Sequence, residues 1–228
     1  MTPPVITIDG PAGSGKTTLG RHLATTLGLP LVDTGLFYRG VMVAAARAGI
    51  GPDDRAALID CARRTVVTID TDPTHDDAGS AATVDGIDAG PALRNPANAP
   101  LLASVSSIPE VRTALLESQR RLATRGAVAV GRDCGTVVFP NAQLKLYLDA
   151  TEGVRARRRA SQLQHAADPD SALMRGEVGE RDRLDASRSD GPMQPALGAY
   201  HLDTGVLGID DVVRTALDLW AGVAAAPG

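Results

Sequence analysis

The chain has 228 residues, 43% of them apolar and 22% charged, with a formal net charge of −4. That length buries the core of one large domain, or of one domain carrying insertions, and the acidic balance argues against a nucleic acid or a membrane surface as partner, since both select a strongly basic face. Cys61 and Cys134 are too few for a disulfide framework and no signal peptide or long apolar span is seen, so the expectation is a soluble cytoplasmic protein with reduced thiols.

Taken in order, Val5-Ile6-Thr7-Ile8-Asp9 reads as a short apolar strand. It runs into Gly10-Pro11-Ala12-Gly13-Ser14-Gly15-Lys16-Thr17, a match to G-x-x-x-x-G-K-[ST], and then into the helical pattern 17–27. Glycines at 10, 13 and 15 let the backbone curl so that several N–H groups converge, and the helix start adds its positive end, which together cradle a polyphosphate. Gly10 through Thr18 are therefore the expected nucleotide-binding residues. Lys16, one of only two lysines, is placed to reach the β- and γ-phosphates, and the Thr17 hydroxyl to ligate Mg²⁺. An ordinary glycine-rich turn is the plainer alternative, and the flanking strand and helix argue against it.

Residues 29–32 form a second apolar run ending in Asp33-Thr34-Gly35, followed by a helical stretch over 36–48. Residues just past a parallel strand's carboxyl end face the ligand crevice, which brings in Asp33, Thr34 and Arg39. Residues 53–64 read as an amphipathic helix, and the alternating runs 65–69 and 82–84, split by the polar stretch 70–80, as a small antiparallel insertion. Residues 87–100, rich in Pro, Asn and Gly, read as irregular. A helix starts near Pro109, with Ser107 as N-cap, and ends at Gly126. Ala127-Val128-Ala129-Val130 is the continuous apolar run of a strand buried on both faces, with Gly131-Arg132-Asp133 at its end. Strands follow at 143–148 and 199–202, separated by the arginine-rich segment 151–188, and the helix 209–220 closes the chain. Strand and helix in alternation call for an α/β layered fold with a mostly parallel sheet.

Arg39, Arg94, Arg112, Arg132, Arg158, Arg159, Arg181, Arg183 and Arg188 supply the planar, permanently charged donors that phosphoryl transfer needs. For a single arginine in the run 155–159 a solvated helix face is the plainer reading. Arg132 differs: directly after a buried strand, it calls for a ligand or a carboxylate partner. The triplets Asp33-Thr34-Gly35 and Asp203-Thr204-Gly205 resemble a protease dyad in spelling, but the helical content favours two polar strand ends. Cys134 lacks a histidine partner and reads as a packed thiol. His22, His75, His165 and His201 show neither metal-ligand spacing nor a carboxylate partner.

Together, Ile8-Asp9-Gly10-Pro11 through Lys16, Asp33-Thr34-Gly35 with Tyr38-Arg39, Pro109-Glu110-Val111-Arg112, Gly131-Arg132-Asp133-x-Gly135-Thr136-Val137-Val138-Phe139-Pro140, and Glu180-Arg181-Asp182 with Asp185 and Arg188 resemble the bacterial cytidylate kinases over about residues 5–220. The resemblance implies a P-loop nucleoside-monophosphate kinase fold in three layers: a core over 1–35, 109–150 and 191–225, a nucleotide-acceptor insertion over about 36–108 and a lid over about 151–190. It implies ATP with Mg²⁺ as donor and CMP or dCMP as acceptor; a monomer without nucleic-acid or membrane partners is the accompanying expectation. Carried over by position, Thr34, Arg39, Arg132 and Arg188 hold the acceptor phosphate, Arg112 and Asp133 read cytosine, and Asp185 holds the ribose. Lys16, Arg132 and the lid arginines Arg158, Arg159 and Arg181 stabilise charge in transfer. Thr34 and Ala103 each stand where a serine is common in the family, with Ser104 next to Ala103. Kinases of another nucleotide or of a hydroxyl metabolite, and a signalling nucleotide switch, are the rival readings; a switch needs a strand ending in D-x-x-G, which is not found.

Overall fold

Strands buried on both faces must find helices on both sides, and the apolar runs of this chain do so. A computed structural model describes residues 3–75, 81–162, 179–180, 182–188 and 190–225. In chain order these form β1 (Val5–Asp9), α1 (Lys16–Leu27), β2 (Leu31–Asp33), α2 (Gly35–Arg47), α3 (Arg55–Arg64), β3 (Val67–Ile69), β4 (Ala82–Val84) and β5 (Ile87–Asp88). There follow α4 (Ala99–Ser107), α5 (Pro109–Arg121), β6 (Ala127–Val130), β7 (Leu144–Asp149), α6 (Glu152–Gln162), β8 (Tyr200–Asp203) and α7 (Ile209–Ala225).

Five strands make a wholly parallel sheet in the order β2-β6-β1-β7-β8. Alternation along β6 shows the layering: Ala127 and Ala129 join a core with Phe37, Val41, Leu58, Val105 and Leu115 from α2–α5. Val128 and Val130 join the opposite core with Leu19 and Leu23 of α1 and Val212 and Ala216 of α7. The mostly parallel α/β expectation holds. Among the described residues no helix is long and apolar enough to cross a membrane.

The antiparallel insertion is present, with Val67 opposite Val84, and β5 extends it to three strands. Residues 87–100 are more regular than their composition suggests. Two 3₁₀ turns, Gly90–Arg94 and Pro96–Asn98, lead into α4, whose first turn carries Pro100. Proline at a helix start removes an N–H that has no partner there anyway, so it initiates instead of breaking. Ser107 is consequently the end of α4, its hydroxyl donating to Ser104 O at 2.9 Å, and Ile108 caps α5. Helix α5 stops at Arg121, before Gly126, and α7 continues past Trp220 to Ala225. His75 does have carboxylate partners: Nδ1 lies 2.6 Å from Asp70 Oδ2 and Nε2 3.6 Å from Asp72 Oδ2, on an exposed loop where the hydrogen bond to Asp70 raises its pKa.

Candidate active site

In a parallel sheet all the strand carboxyl ends open on one edge, and the loops leaving β1, β2 and β6 meet there. At Gly10 the backbone has φ +142°, and a Cβ would sit 2.1 Å from Leu148 O, so only glycine allows β1 to turn against β7. Helix α1 then begins at Lys16. The buried Lys16 Nζ donates to Pro11 O at 2.6 Å and Ser14 Oγ at 3.4 Å, folding over its own loop. Thr17 is half-buried in the first turn and Thr18 exposed.

Beside this loop lies a cavity of about 340 Å³, walled by Gly13, Gly15, Arg158, Thr204, Leu207 and Ile209. Thr204 Oγ1 donates to Ser14 O at 2.9 Å and accepts from Arg158 Nη1 at 2.9 Å, while Arg158 Nη2 donates to Thr204 O at 2.7 Å. Arg155 is not a solvated residue. It is buried, donating through Nε to Ala150 O at 2.9 Å and through Nη1 to Ala12 O at 3.1 Å and to Asp182 Oδ2, and Asp182 Oδ1 accepts from Ala12 N. The side chain of Arg159 and the whole of Arg181 lie outside the described residues.

A second cluster faces the loop. The buried Arg112 donates through Nη2 to the buried Asp133 Oδ2 and lies over the Tyr38 ring, 5.4 Å from its centroid. Burial pushes the Asp133 carboxyl up from its ordinary value while Arg112 and Arg188 pull it back. Arg132 has the carboxylate partner its position demanded: Nε donates to Asp185 Oδ2 at 2.9 Å, and Arg188 Nη2 donates to Asp185 Oδ1. The buried Thr34 hydroxyl donates to Val130 O at 3.1 Å, and Arg39 Nη1 to Leu93 O at 2.7 Å. Between the clusters, burial raises the Asp33 carboxyl, opposed by the Gly35 N–H and by the charges of Arg39, Lys16 and Arg132. One carboxylate thus feels both the loop lysine and the facing arginines.

The two D-T-G triplets are strand ends, each aspartate accepting from the glycine N–H two residues on, at 2.9 Å for Asp33 and 2.7 Å for Asp203. They follow β2 and β8, the opposite edges of the sheet, so they form no dyad. Cys134 is a packed thiol whose pKa burial lifts well above 9.0.

The sequence matches the cytidylate kinase family over residues 6–221. The chain belongs to that family. A cytidylate kinase from Rhodococcus jostii is 40% identical over 212 residues, 92% of this chain and 91% of that one. One from Nocardia farcinica is 39% identical over 215 residues, 93% of this chain and 91% of that one. The crystal structure of an uncharacterised protein from Eubacterium ventriosum, 12% identical and covering 96% of this chain and 98% of that one, has a TM-score of 0.50, a likeness of fold alone.

Three residues join this cytidylate-kinase-family site that the sequence reading did not place there. Ser106, three positions after Ala103, puts its hydroxyl 3.1 Å from Arg188 Nη2, and its carbonyl lies 3.5 Å from Arg112 Nη1. Gly191, at φ +60°, passes so close that a Cβ would stand 2.2 Å from Arg112 Nη2 and 2.5 Å from Asp133 Oδ2. Thr204 belongs to the loop side, and its signal was available: it follows β8 as Thr34 follows β2.

Proposed function

We propose that the protein transfers the γ-phosphoryl group of ATP to CMP or dCMP, giving CDP or dCDP and ADP. The observation that carries this reading is the buried Arg112–Asp133 pair beside the Arg132–Asp185–Arg188 chain. A carboxylate accepts from the cytosine amino group and a guanidinium donates to its N3/O2 side, so the pair matches the edge of that base. Arg132, Arg188, Arg39 and Thr34 take the acceptor phosphate, and Asp185 the ribose. The loop 10–18 takes the donor phosphates, and the cavity under Arg158 and Thr204 the rest of ATP. Residues 36–108 form the acceptor insertion and 151–190 the lid on a core of the remaining segments, with Arg158, Arg159 and Arg181 as the lid cations.

Among the described residues no cluster of three or more His, Cys, Asp or Glu could hold a metal. Mg²⁺ binds through hard oxygens, keeps several waters and relies on substrate phosphates instead of an all-protein cage, and the Thr17 hydroxyl is an oxygen of that kind. Thr17 would hold the ion, which would neutralise charge on the donor phosphates. The protein's own work is positioning and electrostatics: Lys16 and the arginines hold and neutralise the reacting phosphates, and closure excludes water. No general base is assigned, because the acceptor is an already ionised phosphate oxygen.

A coupled ADP-release assay across CMP, dCMP, UMP, AMP, GMP and a hydroxyl metabolite tests the reading. CMP and dCMP are expected to lead, and turnover of none of the monophosphates would overturn it. Gly191→Ala is expected to raise the KM for CMP about tenfold, equivalent to about 1.4 kcal/mol, by prising Arg112 from Asp133; initial-rate kinetics at saturating ATP give the answer.

A further inference from the structure

Asp9 is the last residue of β1, joined directly to Gly10, and only 2% exposed. Its two carboxylate oxygens reach across to the turn that follows β6. Oδ1 accepts from Cys134 N at 2.8 Å and Oδ2 from Gly135 N at 2.7 Å. Those two N–H groups come immediately after Asp133 and open a single π-helical turn, Cys134–Val138, whose leading donors have no partner inside the turn. At its far end Arg120 holds the same turn through Nε to Val138 O at 2.8 Å and Nη2 to Val137 O at 2.9 Å.

We propose that Asp9 is a positioning residue whose carboxylate clasps the turn after β6 and so holds Asp133 in register with the donor-phosphate loop. The proposal rests on the reading of Asp133 as the cytosine-reading group. A fork of two converging N–H donors is matched by a carboxylate, which accepts on both oxygens; an amide of the same shape accepts on one and sets its own N–H groups against the other donor. Burial pushes the Asp9 carboxyl up to about 6 despite both backbone donors, and nearby Asp133 adds to the rise, so at neutral pH the folded chain keeps the charge against a clear opposing tendency.

The signature is a split between stability and selectivity. For Asp9→Asn, the KM for CMP is expected to rise about tenfold and the CMP-over-UMP ratio of kcat/KM to fall at least about fivefold, with the KM for ATP within about threefold. The melting temperature at pH 7.5 is expected to stay within about 5 °C of the parent, because removing the strained charge offsets the lost hydrogen bond. An unchanged CMP-over-UMP ratio overturns the proposal. So does a melting temperature lowered by more than that, with kcat and both KM values impaired together, the mark of a structural residue. Should the variant not fold, hydrogen exchange on the unmodified enzyme decides: the Cys134 and Gly135 amides are expected to exchange as slowly as those of Ala127–Val130, and fast exchange overturns the clasp. An unmodified enzyme that does not turn over CMP would instead remove the base-site reading, and the exchange measurement then tests the clasp by itself.

Discussion

Lys16→Ala is expected to lower kcat by about 10²–10³-fold, equivalent to about 2.7–4 kcal/mol of lost charge stabilisation, while unfolding stays cooperative. Lys16 is buried at the start of α1, with its ammonium against Pro11 O and Ser14 Oγ, inside the curl that the glycines of the loop create. On the proposed reading those contacts hold the charge beside the donor phosphates, and in a buried position each unit of charge acts more strongly than in bulk water. The one other lysine, Lys145, lies in β7, away from the loop. Single-turnover rates with ATP and CMP, paired with a thermal melt, separate lost chemistry from lost structure. Near-normal turnover in a folded variant would remove Lys16 from the phosphate site.

Asp133→Asn is expected to lower the CMP-over-UMP ratio of kcat/KM by about 10–100-fold, the effect of losing one well-placed base contact worth about 1–3 kcal/mol. The asparagine NH₂ can donate to uracil O4, where the carboxylate meets only another acceptor, so the variant admits UMP as it loses CMP. Arg112 loses the charge of its closest partner, and Asp190, 3.6 Å from Arg112 Nε, is the remaining carboxylate nearby. A melt must therefore accompany the kinetics, since a buried arginine left without compensation destabilises. The pH dependence has the same origin. Because burial raises the Asp133 carboxyl, it takes up its proton at a higher pH than an ordinary carboxylate. Lowering the pH should then raise the KM for CMP earlier than that for UMP. A selectivity ratio that is flat with both mutation and pH would take Asp133 out of base reading.

Local patterns carried much of this fold. Ala127–Val130 is a strand because four apolar residues in a row suit burial on both faces, and its limits are legible to the residue. The donor loop was equally plain, since glycines, lysine and hydroxyl are neighbours in the chain. Helix α4 was hidden by Pro96, Asn98 and Pro100, which read as breakers until one sees that Pro100 occupies a first turn. Ser106 went unnoticed with it. Pairings across the chain left still less trace: Asp9 with Cys134 and Gly135, Thr204 with Ser14, and Arg155 with Asp182 join segments whose spacing obeys no helical or strand period. Arg132 was the exception, because a charge behind a buried strand demands a partner before the partner is known.

The adjacency of β1 and β6 has a consequence for how such an enzyme can change. Ile8 stands abreast of Val130, so the donor loop and the Gly131-Arg132-Asp133 turn spring from neighbouring rungs of one backbone ladder. On the proposed reading, the donor and acceptor sides hang from strands held about 4.8 Å apart, a spacing set by backbone hydrogen bonds and not by side chains. On that reading, side-chain replacement at 112 and 133 can rewrite base contacts, while the ladder that sets the two loops side by side is left in place.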